Sequence, residues 1–310
     1  MLDELDELLR NARHWQESGH RVAIATVIET WGSAPRPRGS HAIIRDDGLF
    51  EGSVSGGCVE GDVIVGAQEL LRGGGGFERR DYGVQDDNAW TFGLACGGQI
   101  SVAIQTIDDA HYPAALIDTV IDRRAQGKAV SVVTDLTSGQ SREGESAADG
   151  TYANLYPPPL RMMIVGAVHI SQNLAPLARQ LGYKVLVVDP RDSFAAADRF
   201  SGIEVDTRWP DEAFADWKPD GGTAIVTLSH DPKIDDPALA FALNSSAFYI
   251  AALGSRKTQA ARRERLAEMG FTPEQIARID GPAGIAIGAK TPAEIALSIL
   301  AGATAALRGV

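Results

Sequence analysis

Arg161-Met162-Met163-Ile164-Val165-Gly166-Ala167-Val168-His169-Ile170-Ser171 decides the fold of the second half of the chain. Its opening is a short apolar run that stops at a glycine. Leu174, Leu177, Ala178 and Leu181 then recur at helical spacing, and the helix closes at Gly182. Lys184 to Val188 is a second apolar run, and it ends at Asp189, 23 residues beyond Gly166. Strand, glycine turn, helix, strand and acidic end follow the order of a dinucleotide-binding unit. Further strands are expected at Gly222–Leu228 and Ala247–Leu253. Helices are expected at Asp211–Asp216, Asp236–Asn244, Thr258–Met269 and Pro292–Leu307. Short apolar strands alternating with helices imply a parallel sheet covered on both faces. Residues 160–310 therefore read as a Rossmann-like, doubly wound domain.

The fingerprint is incomplete. Val168 stands where the second glycine lets the backbone reach a pyrophosphate, and Ser171 replaces the third small residue. A valine there should crowd a nucleotide. The residues that would serve one, NAD(P) or FAD, are Gly166, His169 at the helix start, Asp189 and Arg256 of Gly254-Ser255-Arg256-Lys257-Thr258. Arg256 and the Ser229-His230-Asp231-Pro232 segment both follow strand ends, where open α/β sheets bind ligands. The competing reading makes His169 structural and Asp231-Pro232, Asp236-Pro237 and Thr291-Pro292 turns or helix caps.

Upstream, Tyr156-Pro157-Pro158-Pro159 is a stiff connector that separates this domain from residues 1–155. In that first half, Leu2, Leu5, Leu8, Leu9 and Ala12 form one face of a helix, and Arg21–Thr30 and His41–Ile44 read as strands. Phe77–Tyr82 and Gln99–Ile107 read as further strands, Pro113–Arg124 as a helix and Ala129–Leu136 as a strand. Ser138–Gly150 is polar enough for a loop or hairpin tip. The mixture points to an α+β domain.

Its focus is Gly52-Ser53-Val54-Ser55-Gly56-Gly57-Cys58-Val59-Glu60-Gly61-Asp62, a glycine-rich step from strand to helix. Glycines let a ligand approach the backbone, and the free amides of a first helical turn favour an anion or a thiolate. Ser55, Gly56, Gly57 and Cys58 are the candidates here. Arg36 and Arg38, on the proline-broken loop Trp31–Gly39, could face an anionic ligand or simply be solvated. Gly93-Leu94-Ala95-Cys96-Gly97-Gly98 repeats the setting, so Cys96, Gly97 and Gly98 join the set. The plain alternatives are a tight turn with two inert buried thiols, or half of a metal site. A zinc site needs four ligands at recognisable spacing, and neither Cys-x-x-Cys nor His-x-x-x-His occurs.

Composition sets outer limits. Hydrophobic residues make up 44% and charged residues 23% of the 310, an ordinary globular balance sufficient for about two cores. A formal charge of −12 argues against nucleic-acid binding, which needs clustered Lys and Arg. No apolar run reaches the roughly 18 residues of a membrane span. The acidic, amphipathic start is unlike a signal peptide, and two cysteines make no disulfide framework. A cytoplasmic location is expected. No paired catalytic carboxylates stand out to support a hydrolase.

Taken together, several boxes resemble the xanthine dehydrogenase accessory (XdhC/CoxI) family. They are Thr30–Gly39, Gly52–Gly61, Gly93–Gly98, Val188-Asp189-Pro190-Arg191, Ser229-His230-Asp231, Leu253-Gly254-Ser255-Arg256 and Ala289–Glu294. The resemblance covers nearly the whole chain. It implies a chaperone, not necessarily an enzyme, that binds molybdenum cofactor while a cysteine desulfurase installs its terminal sulfur. Delivery to a molybdenum hydroxylase apoenzyme would follow, and a homodimer is a further expectation. Cys58 and Cys96 would then be the soft ligands for molybdenum, with the arginines and helix N-termini meeting the cofactor's phosphate. Two departures stand out: Val168 where the family usually has glycine, and Gly284-Ile285-Ala286-Ile287-Gly288 without the family's aspartate. The alternatives are a nucleotide-dependent oxidoreductase built on the second domain, and an assembly factor that binds apoenzyme but no cofactor.

Overall fold

In the computed structural model, residues 4–83, 98–145 and 148–310 are described. The chain divides into two compact units, one ending at Pro157 and the other beginning at Pro158.

The C-terminal unit is built on six strands: β9 (Arg161–Val165), β10 (Lys184–Val188), β11 (Glu204–Asp206), β12 (Thr223–Thr227), β13 (Tyr249–Ala252) and β14 (Ile279–Asp280). Their order is β11-β10-β9-β12-β13-β14, with every neighbouring pair parallel. This is the doubly wound dinucleotide-binding order, with the chain reversing direction between β9 and β12. Met162 and Ile164 of β9 pack on one face with Leu174 and Ala178 of α4 (His169–Gln180) and Ile299 of α9 (Pro292–Arg308). Met163 and Val165 pack on the other with Phe214 of α5 (Pro210–Trp217), Leu239 of α6 (Pro232–Leu243) and Leu266 of α7 (Arg256–Glu268). Successive strand residues point to opposite faces, so a strand covered on both sides must be apolar throughout. The expected parallel sheet is therefore present.

Helix α6 starts a turn earlier than its apolar spacing suggests. Asp231 caps it by accepting from Lys233 N at 3.0 Å, and Pro232 occupies the first turn, where a missing N–H costs nothing. Asp236 and Pro237 consequently lie inside the helix, with Asp236 paired to Arg265 at 2.6 Å. Thr291 and Glu294 form a reciprocal capping box at the start of α9. A short α8 (Pro273–Ile276) and the two edge strands β11 and β14 carry too few residues to show a period.

The N-terminal unit begins with α1 (Glu4–Glu17), followed by β1 (Val22–Trp31), β2 (His41–Arg45), β3 (Phe50–Gly52), α2 (Glu60–Arg72), β4 (Phe77–Tyr82) and β5 (Gln99–Thr106). The five strands form an antiparallel sheet in the order β3-β2-β1-β5-β4. Alternation again sorts the side chains. Ala23, Ala25, Ile44, Val102 and Ile104 meet Val63, Ala67 and Leu71 of α2. Val22, Ile24 and Ile43 meet Leu9 and Trp15 of α1 and Ile117 of α3 (Ala114–Ala125). A second, three-stranded sheet holds β7 (Ser141–Glu143), β6 (Val130–Asp135) and β8 (Thr151–Tyr156), in that order. Strand β7 falls within the polar segment read as a loop or hairpin tip. It gains its place from pairing with β6 and from buried Ser141, which is hydrogen-bonded to Thr134 and Gln105 at 2.8 Å.

Gly166 is a point of close backbone approach at the end of β9. Its φ is +103°, and a side-chain carbon there would come within 2.7 Å of Ser229 N. Gly166→Ala should therefore destabilise the C-terminal unit by roughly 1–3 kcal/mol. Urea unfolding followed by circular dichroism measures this, and an unchanged midpoint would contradict the close approach.

Candidate functional site

The glycine-rich segment connects β3 to α2 and folds back on one side chain, Glu60. Its Oε1 accepts from Ser53 Oγ at 2.7 Å, Val54 N at 3.2 Å and Ser55 N at 2.9 Å. Its Oε2 accepts from Ser55 Oγ and from Gly57 N, the latter at 2.8 Å. Ser53 Oγ in turn accepts from Gly56 N at 2.8 Å, and Ser55 Oγ from Val59 N at 2.9 Å. Glu60 as a whole is 8% exposed. Burial alone would raise its pKa, but the hydroxyl and amide donors outweigh that and lower it to about 2. The loop amides expected to cradle an external anion are thus partly engaged by the protein's own carboxylate. Spacing alone assigns Glu60 no role. The signal it does carry is a carboxylate at the first helical position, with serines five and seven residues upstream.

Gly52 and Gly57 set the loop's shape. Gly52 has φ +81°, and a side chain there would collide with His41 O, which accepts from Ser53 N at 2.9 Å. Gly57 has φ +113° and nothing near its outer side, so it turns the chain without covering its neighbour. Cys58 is exposed, not buried as the inert reading required. Among the described residues its thiol has no hydrogen-bond partner.

Two of the other expected residues, Arg36 and Gly98, lie in the same region. Arg36 is half-buried and donates from Nε to Ser53 O at 3.3 Å. Pro35 lies against Gly56, where an added carbon would meet it at 3.8 Å. Gly98 lies against Ser33 O, at 2.7 Å by the same measure, so the Trp31–Gly39 loop touches both the Cys58 loop and the start of β5. Arg38 turns away, with its guanidinium 4.6 Å from the centre of the Tyr152 ring. Cys96 and Gly97 lie outside the described residues. No group of three His, Cys, Asp or Glu side chains able to hold a metal occurs among the described residues. The exposed Cys58 thiol by itself suits a contact to a soft metal or to sulfur.

Next to this region His41 is buried and stacked on Tyr156 at 5.5 Å. Its Nδ1 bonds Thr26 Oγ1 at 2.9 Å and its Nε2 bonds Asn154 at 3.2 Å. Burial lowers its pKa from 6.5 to about 4, so it is neutral near pH 7.

In the C-terminal unit, Gly166, Ala167 and Ser229 adjoin at the point where the strand order reverses. Asp189 is fully buried. It accepts from Ala167 N at 2.7 Å and, through both oxygens, from Arg191 N at 3.0 Å, Nε at 2.8 Å and Nη2 at 2.7 Å. Burial opposes its charge, but the Arg191 bonds prevail and hold its pKa below the ordinary carboxylate value. Those bonds compete with the ribose hydroxyl that such an acid usually receives. Arg199 donates to Ala167 O at 3.0 Å, placing a cation on the turn. Ser171 is buried and bonds Val168 O at 2.6 Å, filling the space of the third small residue. His169 and Arg256 are exposed at the starts of α4 and α7.

The two units match separate family models: residues 15–83 the XdhC and CoxI family, and residues 162–302 the XdhC Rossmann domain. One relative, the molybdenum cofactor insertion chaperone PaoD of Escherichia coli, is 30% identical over 97% of this chain and 88% of its own. The chain belongs to the XdhC and CoxI family. Another relative is a probable xanthine dehydrogenase subunit of Bacillus subtilis, 27% identical over 92% of this chain and 93% of that one. The same fold occurs in a crystal structure described as a xanthine dehydrogenase from Bacillus halodurans. It has a TM-score of 0.75 and 24% identity, covering 99% of this chain and 96% of that one.

Unfolded His41 titrates near 6.5 and folded His41 near 4, so below pH 6.5 the unfolded chain takes up the proton first. Stability should fall as pH drops from 6.5 to 4, by on the order of 3 kcal/mol when complete. Glu60 extends the loss from 4.5 towards 2, again because the unfolded form binds the proton more readily. Denaturant midpoints measured across this range should show the slope, and His41→Gln should flatten its upper part.

Proposed function

We propose that the protein is a molybdenum cofactor insertion chaperone serving an enzyme of the xanthine dehydrogenase type, with Cys58 as its contact to the cargo. The observation that carries this reading is the exposed Cys58 thiol on a hydrogen-bonded loop, with the Arg36 side chain reaching the same loop. The loop holds the thiol in place before cargo arrives, which reduces the ordering cost of binding. A thiolate at this position offers a soft donor, and the Arg36 guanidinium can engage a phosphate. Among the described residues Arg36 takes part in no ion pair, so its charge is open to an anionic group, whereas Arg38 is turned to the Tyr152 ring. Cys96, with Gly97 and Gly98, is assigned to the same cargo site on the strength of its sequence setting and the position of Gly98.

Names of relatives support the same direction: one is a cofactor insertion chaperone and another a probable part of a xanthine dehydrogenase. The bound form is taken to be molybdopterin, protected while a cysteine desulfurase supplies sulfur and then passed to the apoenzyme. The protein works in the cytoplasm in this reading, as a cargo holder without turnover. No helix among the described residues is long and apolar enough to cross a membrane.

A nucleotide, NAD(P) or FAD, in the C-terminal unit is the second reading, and the strand order favours it. Gly166, His169, Asp189 and Arg256 would serve it, although the Asp189–Arg191 fork and Val168 oppose the usual mode of binding. Saturable fluorescence change on titration with these nucleotides would support it.

The main test is pterin and molybdenum analysis of protein purified anaerobically, beside Cys58→Ala. Loss of the thiol contact should weaken cofactor binding by about tenfold, the equivalent of ~1.4 kcal/mol. Equal cofactor binding by the two proteins would remove Cys58 from the site.

A further inference from the structure

We infer that Glu60 is a resident anion: its carboxylate fills the loop formed by residues 53–57, positions Cys58, and keeps free phosphate off those donors. Five donors from Ser53, Val54, Ser55 and Gly57 converge on this one carboxylate. Converging amides in a glycine-bearing turn beside a helix start are an anion-binding arrangement. Here the anion is covalently part of the chain, at the first position of α2, in a residue 8% exposed as a whole. Three consequences follow from elementary chemistry. The segment is ordered without a ligand, because donors that would otherwise seek water or phosphate already have a partner. An external phosphate would have to displace a carboxylate tethered at high effective concentration, so it is excluded from this side of the loop. Cys58, whose flanking Gly57 and Val59 amides are both held within the network, is the part left facing outward.

Glu60 thus acts as a selectivity element. The loop admits a partner through the sulfur of Cys58 and refuses one through its inner amides. An anionic end of the same cargo must find its charge elsewhere, and Arg36 on the adjoining loop is available for it. This assignment of the cargo's two ends rests on the proposed cofactor reading. The positioning role of Glu60 does not, and it can be read in protein free of cofactor.

The experiment follows alkylation of Cys58 by iodoacetamide, quantified by mass spectrometry of the peptide that contains it. Wild type, Glu60→Ala and Glu60→Gln are compared in buffer alone, with inorganic phosphate, and with formate. In wild type the rate should be unaffected by either anion. In Glu60→Ala the loop opens locally, and the rate should change by about fivefold or more. Formate should return it towards the wild-type value by replacing the missing carboxylate, and phosphate should now alter it. Glu60→Gln keeps one accepting oxygen and the side-chain volume, and should fall between the two. If Glu60→Ala is not recovered folded, Glu60→Gln with and without formate decides alone. Wild-type rates in both variants, or an effect of phosphate on the wild type, would overturn the inference. Cofactor analysis of the same wild-type protein is read separately, so failure of the chaperone reading leaves this result standing or falling by itself.

Discussion

The central strands of both units are buried on both faces, and this constraint governs where everything else can lie. A strand covered on two sides has no face to give to water, so its residues sort by parity into two separate cores. In the C-terminal unit Met162 and Ile164 serve one core while Met163 and Val165 serve the other. In the N-terminal unit Val22 and Ile24 are set against Ala23 and Ala25 in the same way. Polar chemistry is thereby driven to the strand ends and the turns beyond them. Both candidate sites are such turns: Gly52–Glu60 after β3 and Gly166–His169 after β9.

The two turns share a device. Each has a glycine at positive φ pressed against a neighbouring backbone, and a buried carboxylate accepts from three amides of the first turn and from one, Ala167 N, of the second. In the first, Glu60 belongs to the turn itself and leaves a cysteine outside. In the second, Asp189 comes from the next strand and is held by Arg191. The buried polar groups are satisfied internally, so the turns keep their form without help from a ligand. What differs is the residue left exposed: a soft nucleophile in one, and a histidine beside a valine in the other.

Much of the architecture was legible in the sequence because burial on two faces leaves an unmistakable mark. Runs such as Met162–Val165 and Val185–Val188 contain nothing that water would claim. Elements held by other means were not legible. Strand β7 relies on a hydroxyl network around Ser141, and β11 and β14 are edge strands of three and two residues. The start of α6 was obscured because an internal proline, Pro237, looked like a first-turn residue. In the site, Cys58, Arg36 and the glycines were visible as types suited to an anion. The identity of that anion was not, since nothing in local spacing says that Glu60 folds back onto the serines before it. Arg38 was read with Arg36 because they sit two apart, yet the loop sends it to Tyr152.

The dinucleotide fingerprint also separates into two kinds of position. Gly166 is bound to the fold by its φ of +103° and its contact with Ser229, whatever the domain binds. Val168 has φ −87° and ψ −179°, an extended conformation open to any residue. Nothing in the sheet requires glycine there; only a pyrophosphate would. A lineage that gave up nucleotide binding could exchange the second glycine freely while the first stayed fixed. The domain can therefore drift in function at one residue and remain anchored in shape two residues away.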